Sequence, residues 1–329
     1  MEQETMKSHY GRSLTYATVC SGIEAMSVAV SGLGFRPVFF SEIEPVLNSF
    51  LETTYKGIPN LGDLSGIRAA EEKAYGNNIS VDCGDLTILA GGTPCQDVST
   101  VGTLAGMSEG SRTRSSLVFE FARVCSEILP RWILWENVEG CVKGKAIADF
   151  RKFVGRIVGC GYDVAWRVID SSAYGIPQAR RRVWLVGHRA DLGAGTDGPV
   201  RILFRHKMPA GVPSAPHGPE KEPGPASHVG PRVCVDLYNG RITGKVACTF
   251  GANSFGTNTA GPKLMVPGRG FRRFTATETE RLFGFPDGYT IPLGRASVRC
   301  RALGNSWPVP VARALASEIM RIETECGAK

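Results

Sequence analysis

The sequence predicts an α/β fold in which crossover helices flank a mostly parallel sheet, together with a smaller second domain. Short apolar runs alternate with helical patterns through the first half of the chain, which is typical of parallel strands joined by helices. This alternation stops after His188, and no periodicity is visible in the Pro- and Gly-rich stretch from Pro209 to Gly230. With 329 residues, the chain is long enough for one large and one small domain.

The individual elements follow from these patterns in chain order. Strands are predicted where the apolar runs are short, at Leu14–Cys20, Val38–Ser41, Ile88–Ala90, Trp132–Trp135, Tyr162–Ile169 and Val183–Gly187. Helices are predicted where apolar residues recur with helical spacing, at Glu24–Leu33, Pro45–Lys56, Ser115–Leu129, Ile147–Val158 and Val309–Ile322. Gly34 and Pro130 are expected to end two of these helices, and Pro45 to open another. A helical pattern also returns from Thr275.

Composition and charge limit the kind of protein and partner. The chain is 43% hydrophobic and begins with a polar segment, and it has no apolar run of the ~20 residues that a membrane span requires, so we expect a cytoplasmic protein. The ten cysteines are scattered without a Cys-x-x-Cys pair, which favours reduced thiols over disulfides or a metal site. The net charge of +7 and the excess of arginine over lysine suit a polyanionic partner, although a mild positive charge is also common in other proteins.

Polar residues directly follow the predicted strands, at the edge where α/β sheets bind ligands. Ser21-Gly22-Ile23-Glu24 follows the first strand, and Glu42 follows the second, where a ribose diol is usually held. Glu24 would repel the pyrophosphate of a dinucleotide, and no Gly-x-Gly-x-x-Gly run is present. A cofactor with an ammonium and a sulfonium group would tolerate the carboxylate. A solvated glutamate at a helix start is an equal alternative for Glu24.

A cysteine and a glutamate follow the next two strands. Cys95 lies in the turn Gly92-Thr93-Pro94-Cys95-Gln96, where an inert thiol is unexpected because free cysteines prefer protein cores. A thiolate there could act as a nucleophile. Glu136 could supply a proton or hydrogen bond to a reacting group. An ion pair between Glu136 and an arginine is the alternative.

Three consecutive arginines precede the strand predicted at Val183–Gly187. Because side chains alternate along a strand, Arg180 and Arg182 are predicted to face a cleft while Arg181 points away. The two could then bind phosphate and base. A surface run of positive charge is the alternative interpretation.

These motifs occur in an order that resembles the DNA cytosine-5 methyltransferase family, over nearly the whole chain except about Arg189 to Gly270. The matching motifs are Gly91 to Gln96, Trp135-Glu136-Asn137-Val138, Gln178-x-Arg180-x-Arg182, Arg272 to Asp287 and Leu303 to Val311. The first motif departs from the family pattern, because it begins with Cys20 instead of an aromatic residue and has fewer glycines. The resemblance implies a Rossmann-like S-adenosylmethionine-dependent methyltransferase domain plus a smaller target-recognition domain.

The resemblance also implies roles for individual residues. Cys95 is the expected nucleophile, Glu136 the contact to N3 and the exocyclic amine, and Arg182 the contact to O2, with Arg180 supporting the site. The expected cofactor-binding residues, with Glu42 on the ribose and Asp63 on the adenine, are Ser21, Gly22, Ile23, Glu24, Glu42, Ile43, Asp63, Pro94, Asn305 and Ser306. The expected DNA contacts are Gln96, Ser99, Arg112, Gln178, Asn253 and Arg272. Asp63 is preferred over Asp85, which also lies in a Gly-Asp-Leu run but only ten residues before Cys95. No metal is expected.

Three segments with distinct roles are predicted: residues 1–188 as the catalytic and cofactor-binding domain, 189–295 as the target-recognition domain, and 296–329 as a segment that returns to the catalytic domain. The implied partner is double-stranded DNA, bound by a monomer that rotates the target cytosine out of the duplex. A cognate restriction endonuclease is a candidate partner, and the source is a bacterium or a phage. Two alternatives stay open: an RNA (tRNA) cytosine-5 methyltransferase, and a catalytically silent DNA-binding relative. An intact Cys95, Glu136 and Arg182 argue against the second.

Overall fold

The computed structural model describes residues 13–94, 117–193, 197–204, 233–236, 241–251, 254, 261–266 and 270–327. The chain forms two compact units, and each unit is discontinuous in sequence. Unit 1 consists of Met1–Val168, Arg182–His206 and Ala312–Lys329, and unit 2 consists of Ile169–Arg181 and Lys207–Val311. These bounds differ from the predicted segments 1–188, 189–295 and 296–329, whose functional assignment stays a prediction. Within the described residues, no helix combines the length and apolar character needed to cross a membrane.

A six-stranded sheet forms the centre of unit 1. Its strands are β1 (Thr15–Val19), β2 (Arg36–Pro37), β6 (Ile88–Gly91), β7 (Trp132–Val138), β8 (Tyr162–Asp170) and β10 (Arg181–Arg189), in the order β2-β1-β6-β7-β10-β8. The pairs β1–β2, β1–β6 and β6–β7 are parallel, and β10 pairs with β7 in the antiparallel sense. The predicted α/β class with a mostly parallel sheet is confirmed.

Helices pack around this sheet because each has an apolar face. They are α1 (Ala25–Val30), α2 (Pro45–Thr54), α3 (Leu117–Ile128), α4 (Ala146–Gly159), α5 (Gly198–Phe204) and α8 (Val309–Gly327). In α3 the buried residues include Val118, Phe121 and Cys125, which follow the helical spacing seen in the sequence. Trp135 of β7 packs on Phe153 of α4, with 4.8 Å between ring centroids. The predicted helices at α2, α3, α4 and α8 are confirmed within a few residues at their ends.

Three predicted boundaries were wrong for local reasons. The second strand is Arg36–Pro37 instead of Val38–Ser41. The residues after Pro37 still run beside β1, and Val38 N donates to Tyr16 O at 2.8 Å, but they do not form a regular ladder. Helix α1 begins after Glu24, because Glu24 adopts a left-handed backbone with φ 59°. Strand β7 continues to Val138, so Glu136 lies within the strand instead of beyond it.

A small antiparallel sheet in unit 1 was missed by the sequence analysis. It consists of β3 (Arg68–Ala70), β4 (Lys73–Gly76) and β5 (Ile79–Asp82). Both of its turns have two central residues with positive φ, namely Glu71-Glu72 and Asn77-Asn78. Two-residue hairpins favour this backbone, and asparagine adopts it readily, so Asn77-Asn78 was the available signal.

Among its described residues, unit 2 contains a four-stranded antiparallel sheet and two helices. The sheet has the order β12-β11-β14-β15, with β11 (Val233–Asp236), β12 (Arg241–Gly244), β14 (Pro262–Val266) and β15 (Gly270–Arg272). A short parallel pair joins β9 (Gln178–Ala179) to β13 (Ala247–Cys248). The helices are α6 (Ala276–Phe283) and α7 (Ala296–Asn305). Thr275 and Glu278 form a reciprocal capping box that begins α6, which confirms the helical pattern predicted from Thr275.

Candidate active site and cofactor site

Several predicted site residues belong to parts of the chain for which no structure is given. The predicted nucleophile Cys95 lies outside the described residues, and so do the predicted DNA contacts Gln96, Ser99, Arg112 and Asn253. The described chain extends to Pro94, which is half-buried. The position of the predicted nucleophile is therefore considered through the residues that immediately precede it.

The segment between β6 and Cys95 is held by contacts with β1, α3 and β7. A Cβ atom at Gly91 would lie 2.7 Å from Val19 Cγ2 and 2.8 Å from Phe121 Cε2, so glycine is required at this crowded position. Thr93 is buried and accepts two hydrogen bonds from β7: Trp135 Nε1 donates to its Oγ1 at 3.1 Å, and Asn137 Nδ2 donates to its carbonyl at 3.1 Å. Sequence reasoning gave neither of these β7 residues a role, although both flank Glu136.

Glu136 and Arg182 lie together on neighbouring strands. In the antiparallel ladder, Glu136 is opposite Trp184, and Arg182 is opposite Val138, so the two charged residues are diagonal neighbours on one face. Arg182 Nε lies 3.2 Å from Glu136 Oε1, and the side chains are 13% and 10% exposed. The two predicted catalytic groups are thus brought together as a nearly buried ion pair, the arrangement considered as the alternative for Glu136.

Arg180 differs from the predicted alternation of the three arginines. Arg181 is exposed, whereas Arg182 is partly buried and contacts Glu136; that Arg182 faces a substrate cleft stays a prediction. Arg180 precedes β10 and is buried within unit 2, where its guanidinium donates to Phe250 O at 2.7 Å and Ser306 O at 2.9 Å. Because residue 180 does not belong to the strand, the alternation rule does not apply to it. Its side chain joins separate segments of unit 2.

Two predicted DNA contacts have internal partners in unit 2. Gln178 is fully buried, and its Nε2 donates to Leu282 O at 3.3 Å. Arg272 donates to both carboxylate oxygens of Glu278 at 2.7 Å, and these hydrogen bonds lower the pKa of Glu278 to about 2. Contact of Gln178 or Arg272 with DNA stays a prediction. For Gln178, such a contact would require the buried side chain to become exposed.

The turn that follows β1 is tied to the residues that follow β2. Gly22 N donates to Glu42 Oε2 at 2.8 Å. The other carboxylate oxygen of Glu42 accepts from the amides of Ile43 at 2.8 Å and Glu44 at 2.9 Å. Ser21 N donates to Ser41 O at 3.0 Å. Several predicted cofactor residues are thus brought together, with Glu42 held in one orientation.

Asp63 lies close to the same turn. Its Oδ1 accepts from Ser65 N at 2.8 Å, which begins a short 3-10 helix. The negative charges of Glu42 and Asp63 both add to the effect of burial in raising the pKa of the Cys20 thiol to about 12. Asp85 instead lies 3.8 Å from Arg131, which immediately precedes β7. Asp85 therefore lies at the amino ends of β6 and β7, whereas Asp63 lies near the residues that follow the carboxyl ends of β1 and β2. This difference favours Asp63 as the predicted cofactor residue.

The remaining predicted cofactor residues differ in exposure. Ile23 is buried, whereas Ile43 is 64% exposed. Asn305 is exposed at the end of α7 in unit 2, and the Ser306 that follows it is buried. Glu24 is only 1% exposed, and its carboxylate accepts from the hydroxyls of Thr18 and Ser27. Within the described residues no group of His, Cys, Asp and Glu could hold a metal ion.

Comparison with known proteins shows the family. The model of the C-5 cytosine-specific DNA methylases matches residues 14–213 and 238–321. The chain belongs to this family. The predicted family and the predicted enzyme class, a DNA cytosine-5 methyltransferase, are confirmed.

Individual members of the family match across most of the chain. The Type II methyltransferase M.BsuFI of Bacillus subtilis is 26% identical over 324 residues, which cover 94% of this chain and 73% of the relative. The Type II methyltransferase M.NlaX of Neisseria lactamica is 29% identical over 303 residues, which cover 86% and 88%. The crystal structure of S. pombe Dnmt2 methyltransferase superposes with a TM-score of 0.64 at 20% identity, and the match covers 94% of this chain and 98% of that one. This last similarity confirms the predicted fold.

Proposed function

We propose that this protein transfers a methyl group from S-adenosylmethionine to carbon 5 of cytosine within a specific sequence of double-stranded DNA. The observation that carries the proposal is the pair formed by Glu136 and Arg182, at 3.2 Å. Arg182 lies on β10 and Glu136 lies on β7, the strand whose Trp135 and Asn137 also hold Thr93, two residues before Cys95. A carboxyl group, a guanidinium and a thiol are the groups that activation of a cytosine ring requires.

In the proposed reaction, the Cys95 thiolate adds to carbon 6 of the cytosine. The electron pair of the 5,6 bond moves towards carbon 5, and Glu136 provides a proton or hydrogen bond at N3 that stabilises the added charge. Arg182 donates to O2 of the ring and keeps Glu136 oriented. Carbon 5 would then take the methyl group that S-adenosylmethionine supplies, with S-adenosylhomocysteine as the leaving group. A base removes the proton at carbon 5, and the thiolate leaves as the 5,6 bond re-forms. The base must leave the helical stack for carbon 6 to be reached.

The residues at the ends of β1 and β2 fit S-adenosylmethionine, which supplies an electrophilic methyl group when bound. The cofactor is cationic at its sulfonium and ammonium groups and carries no phosphate. The negative charges of Glu42 and Asp63 favour such a ligand; with burial as the larger cause, they also contribute to the raised pKa of the neighbouring Cys20 thiol. We propose that Glu42 binds the ribose and Asp63 the adenine. The other residues that we propose to bind the cofactor are Ser21, Gly22, Ile23, Ile43, Pro94, Asn305 and Ser306.

We also propose that residues 189–295 select the DNA sequence and that the protein acts as a monomer, with a restriction endonuclease of the same specificity as a candidate partner. The net charge of +7 supports a polyanionic substrate. The proposed DNA contacts are Gln96, Ser99, Arg112, Gln178, Asn253 and Arg272. The proposal for Gln178 requires this residue to become exposed on DNA binding.

Methyl transfer from labelled S-adenosylmethionine to duplex DNA and, in parallel, to tRNA tests the proposal. We expect label in duplex DNA, at carbon 5 of cytosine after digestion to nucleosides. Cys95→Ser is expected to abolish transfer while S-adenosylhomocysteine still binds. Label in tRNA alone would favour the RNA methyltransferase instead, and full activity of Cys95→Ser would refute the role of the thiol.

A further inference from the structure

In the turn after β1, residues 20–24, two residues other than glycine have a backbone conformation that glycine adopts more readily. We call it the cofactor turn. Its backbone is left-handed at Cys20 with φ 51°, at Gly22 with φ 59° and at Glu24 with φ 59°. Residues with a Cβ atom disfavour this conformation. Something other than intrinsic preference must therefore hold Glu24 in place.

The carboxyl group of Glu24 provides that restraint. It accepts a hydrogen bond from Ser27 Oγ at 2.6 Å, in the first turn of α1, and another from Thr18 Oγ1, in β1. The side chain therefore links the strand that precedes the cofactor turn to the helix that follows it. With both of its oxygens bonded and only 1% exposure, the carboxyl faces the protein interior.

The same hydroxyl groups extend the network in both directions. Ser27 Oγ lies 2.7 Å from the hydroxyl of Tyr16. On the other side, Thr18 Oγ1 lies 2.8 Å from Ser21 Oγ, and Ser21 Oγ accepts from the amide of Ser41 at 3.0 Å. Glu42 follows Ser41 and binds the amide of Gly22. Glu24 thus belongs to a continuous chain of hydrogen bonds that ends beside the proposed ribose ligand.

We propose that Glu24 is a positioning residue: its hydrogen bonds to Thr18 and Ser27 hold the cofactor turn in the shape that S-adenosylmethionine requires, without contact between its charge and the cofactor. This inference rests on the proposed function, and it replaces the direct contact expected from the sequence. It also explains how a chain with few glycines in this motif retains a left-handed backbone at residue 24.

Burial of the side chain is consistent with this role. Desolvation raises the pKa of Glu24 to about 7, against the opposing effect of its hydrogen bonds to Ser27 and Thr18, while the negative charge of Glu42 raises it further. A neutral group with the same shape should consequently serve as well as a carboxylate. Glutamine can accept from Thr18 and donate to Ser27, because a hydroxyl group can act in either sense.

Three substitutions separate shape, hydrogen bonding and charge. Glu24→Gln keeps the hydrogen bonds and removes the charge. Glu24→Ala removes the bonds and keeps a Cβ atom, and Glu24→Gly removes the bonds but accepts the left-handed backbone without strain. Glu52→Gln, at an exposed position of α2, is the matched control. The readouts are the dissociation constant of S-adenosylhomocysteine, by calorimetry, and the melting temperature of the cofactor-free protein.

We expect Glu24→Gln and Glu52→Gln to bind S-adenosylhomocysteine within about twofold of the unaltered protein, whereas Glu24→Ala and Glu24→Gly bind about tenfold more weakly. A role in stability alone would lower the melting temperature and leave the dissociation constant unchanged, which would overturn the proposal. Equal losses of affinity in Glu24→Gln and Glu24→Ala would also overturn it, because they would show that the charge is needed. If Glu24→Ala fails to fold, Glu24→Gly provides the comparison.

Failure of the proposed function gives a different result. If S-adenosylmethionine is not the cofactor, the unaltered protein does not bind S-adenosylhomocysteine at all, and the positioning role towards that cofactor falls with it. If only the nucleic-acid substrate differs, label appears in tRNA while the binding comparison among the Glu24 variants is unaffected. The melting temperatures would still report whether the Glu24 hydrogen bonds stabilise the turn.

Discussion

The indole Nε1 of Trp135 donates a hydrogen bond to Thr93 Oγ1 at 3.1 Å, and this joins β7 to the chain that leaves β6. Both side chains are buried, and Asn137 adds a second bond to the Thr93 carbonyl at 3.1 Å. Trp135 and Asn137 flank Glu136 on its strand. One strand therefore carries a proposed catalytic carboxyl and also fixes the chain two residues before the proposed nucleophile.

Trp135→Phe should impair turnover without weakening cofactor binding. Phenylalanine retains ring packing against Phe153 but cannot donate to Thr93, and a lost buried hydrogen bond costs about 1 kcal/mol. We expect the rate of methyl transfer to fall about fivefold and the affinity for S-adenosylhomocysteine to stay constant. Thr93→Val removes the same bond from the other side, so the double variant should lose no more than either single one. Additive losses would contradict the coupling.

Gly284→Ala should destabilise unit 2 more than the same substitution at another left-handed glycine. A Cβ atom at Gly284, where φ is 80°, would lie 2.5 Å from Pro310 Cδ. Gly175, also in unit 2 and left-handed with φ 85°, has no described heavy atom within 4 Å of the added Cβ. Both substitutions carry about 1 kcal/mol of backbone strain, and the clash adds about 2 kcal/mol at Gly284. Urea unfolding measures the difference, and equal losses would contradict the packing described.

Glu323→Gln should weaken the attachment of α8 to the start of β7. Glu323 accepts from Arg131 Nε at 2.8 Å and from Trp132 Nε1 at 2.7 Å, and its side chain is 6% exposed. Loss of the charge leaves the buried guanidinium of Arg131 with the more distant and more exposed carboxylate of Asp85, at 3.8 Å, at a cost of about 2 kcal/mol. Glu325→Gln, on the same helix, breaks more exposed ion pairs with Arg321 and with Arg201 of α5, and it should change the free energy of unfolding by about 0.5 kcal/mol or less. Similar effects of the two changes would contradict this account.

Glu24→Gln should change the pH dependence of stability. Burial raises the pKa of Glu24 from 4.5 to about 7 in the folded protein. Between those values the unfolded chain releases a proton that the folded protein keeps, so the free energy of unfolding falls as pH rises through this window and levels off above it. The glutamine variant lacks this contribution.

The melting temperature of Glu24→Gln, relative to that of the unaltered cofactor-free protein, is therefore expected to increase from about pH 5 to about pH 7 and then stay constant. Glu52→Gln, at an exposed residue, should show no such change. Parallel profiles for Glu24→Gln and the unaltered protein would mean that Glu24 titrates near its ordinary pKa in the folded state.

Much of the fold could be predicted from local sequence. The buried runs of β1 and β6 and the apolar stripe of α3 carry the periodicities of their elements, and Pro45 and Thr275 mark helix starts through backbone chemistry that acts within a few residues. Where the bounds of an element depend on a partner that is distant in sequence, the local pattern did not predict them. Strand β7 includes Glu136 because the strand pairs with β10, which no feature of the apolar run indicates.

The site was predictable in its residue types but less so in its contacts. Motif order grouped Glu136 with Arg182, and the structure brings them to 3.2 Å. The burial of Arg180 among carbonyl oxygens of Phe250 and Ser306 arises from segments distant in sequence. The inward orientation of Glu24 likewise depends on the hydroxyls of Thr18 and Ser27, ordinary residues that form no recognisable motif.

In the proposed reaction, the thiol of Cys95 forms a bond to carbon 6 of the target cytosine. Duplex DNA that contains 5-fluorocytosine tests for this bond, because fluorine at carbon 5 cannot leave as a proton does and the adduct persists after methyl transfer. With S-adenosylmethionine present, we expect a protein–DNA adduct that survives denaturation and that peptide mass spectrometry assigns to Cys95. Cys95→Ser should give none. An adduct at another residue, or methylated cytosine in ordinary DNA without any adduct on the fluorinated DNA, would contradict the proposed mechanism.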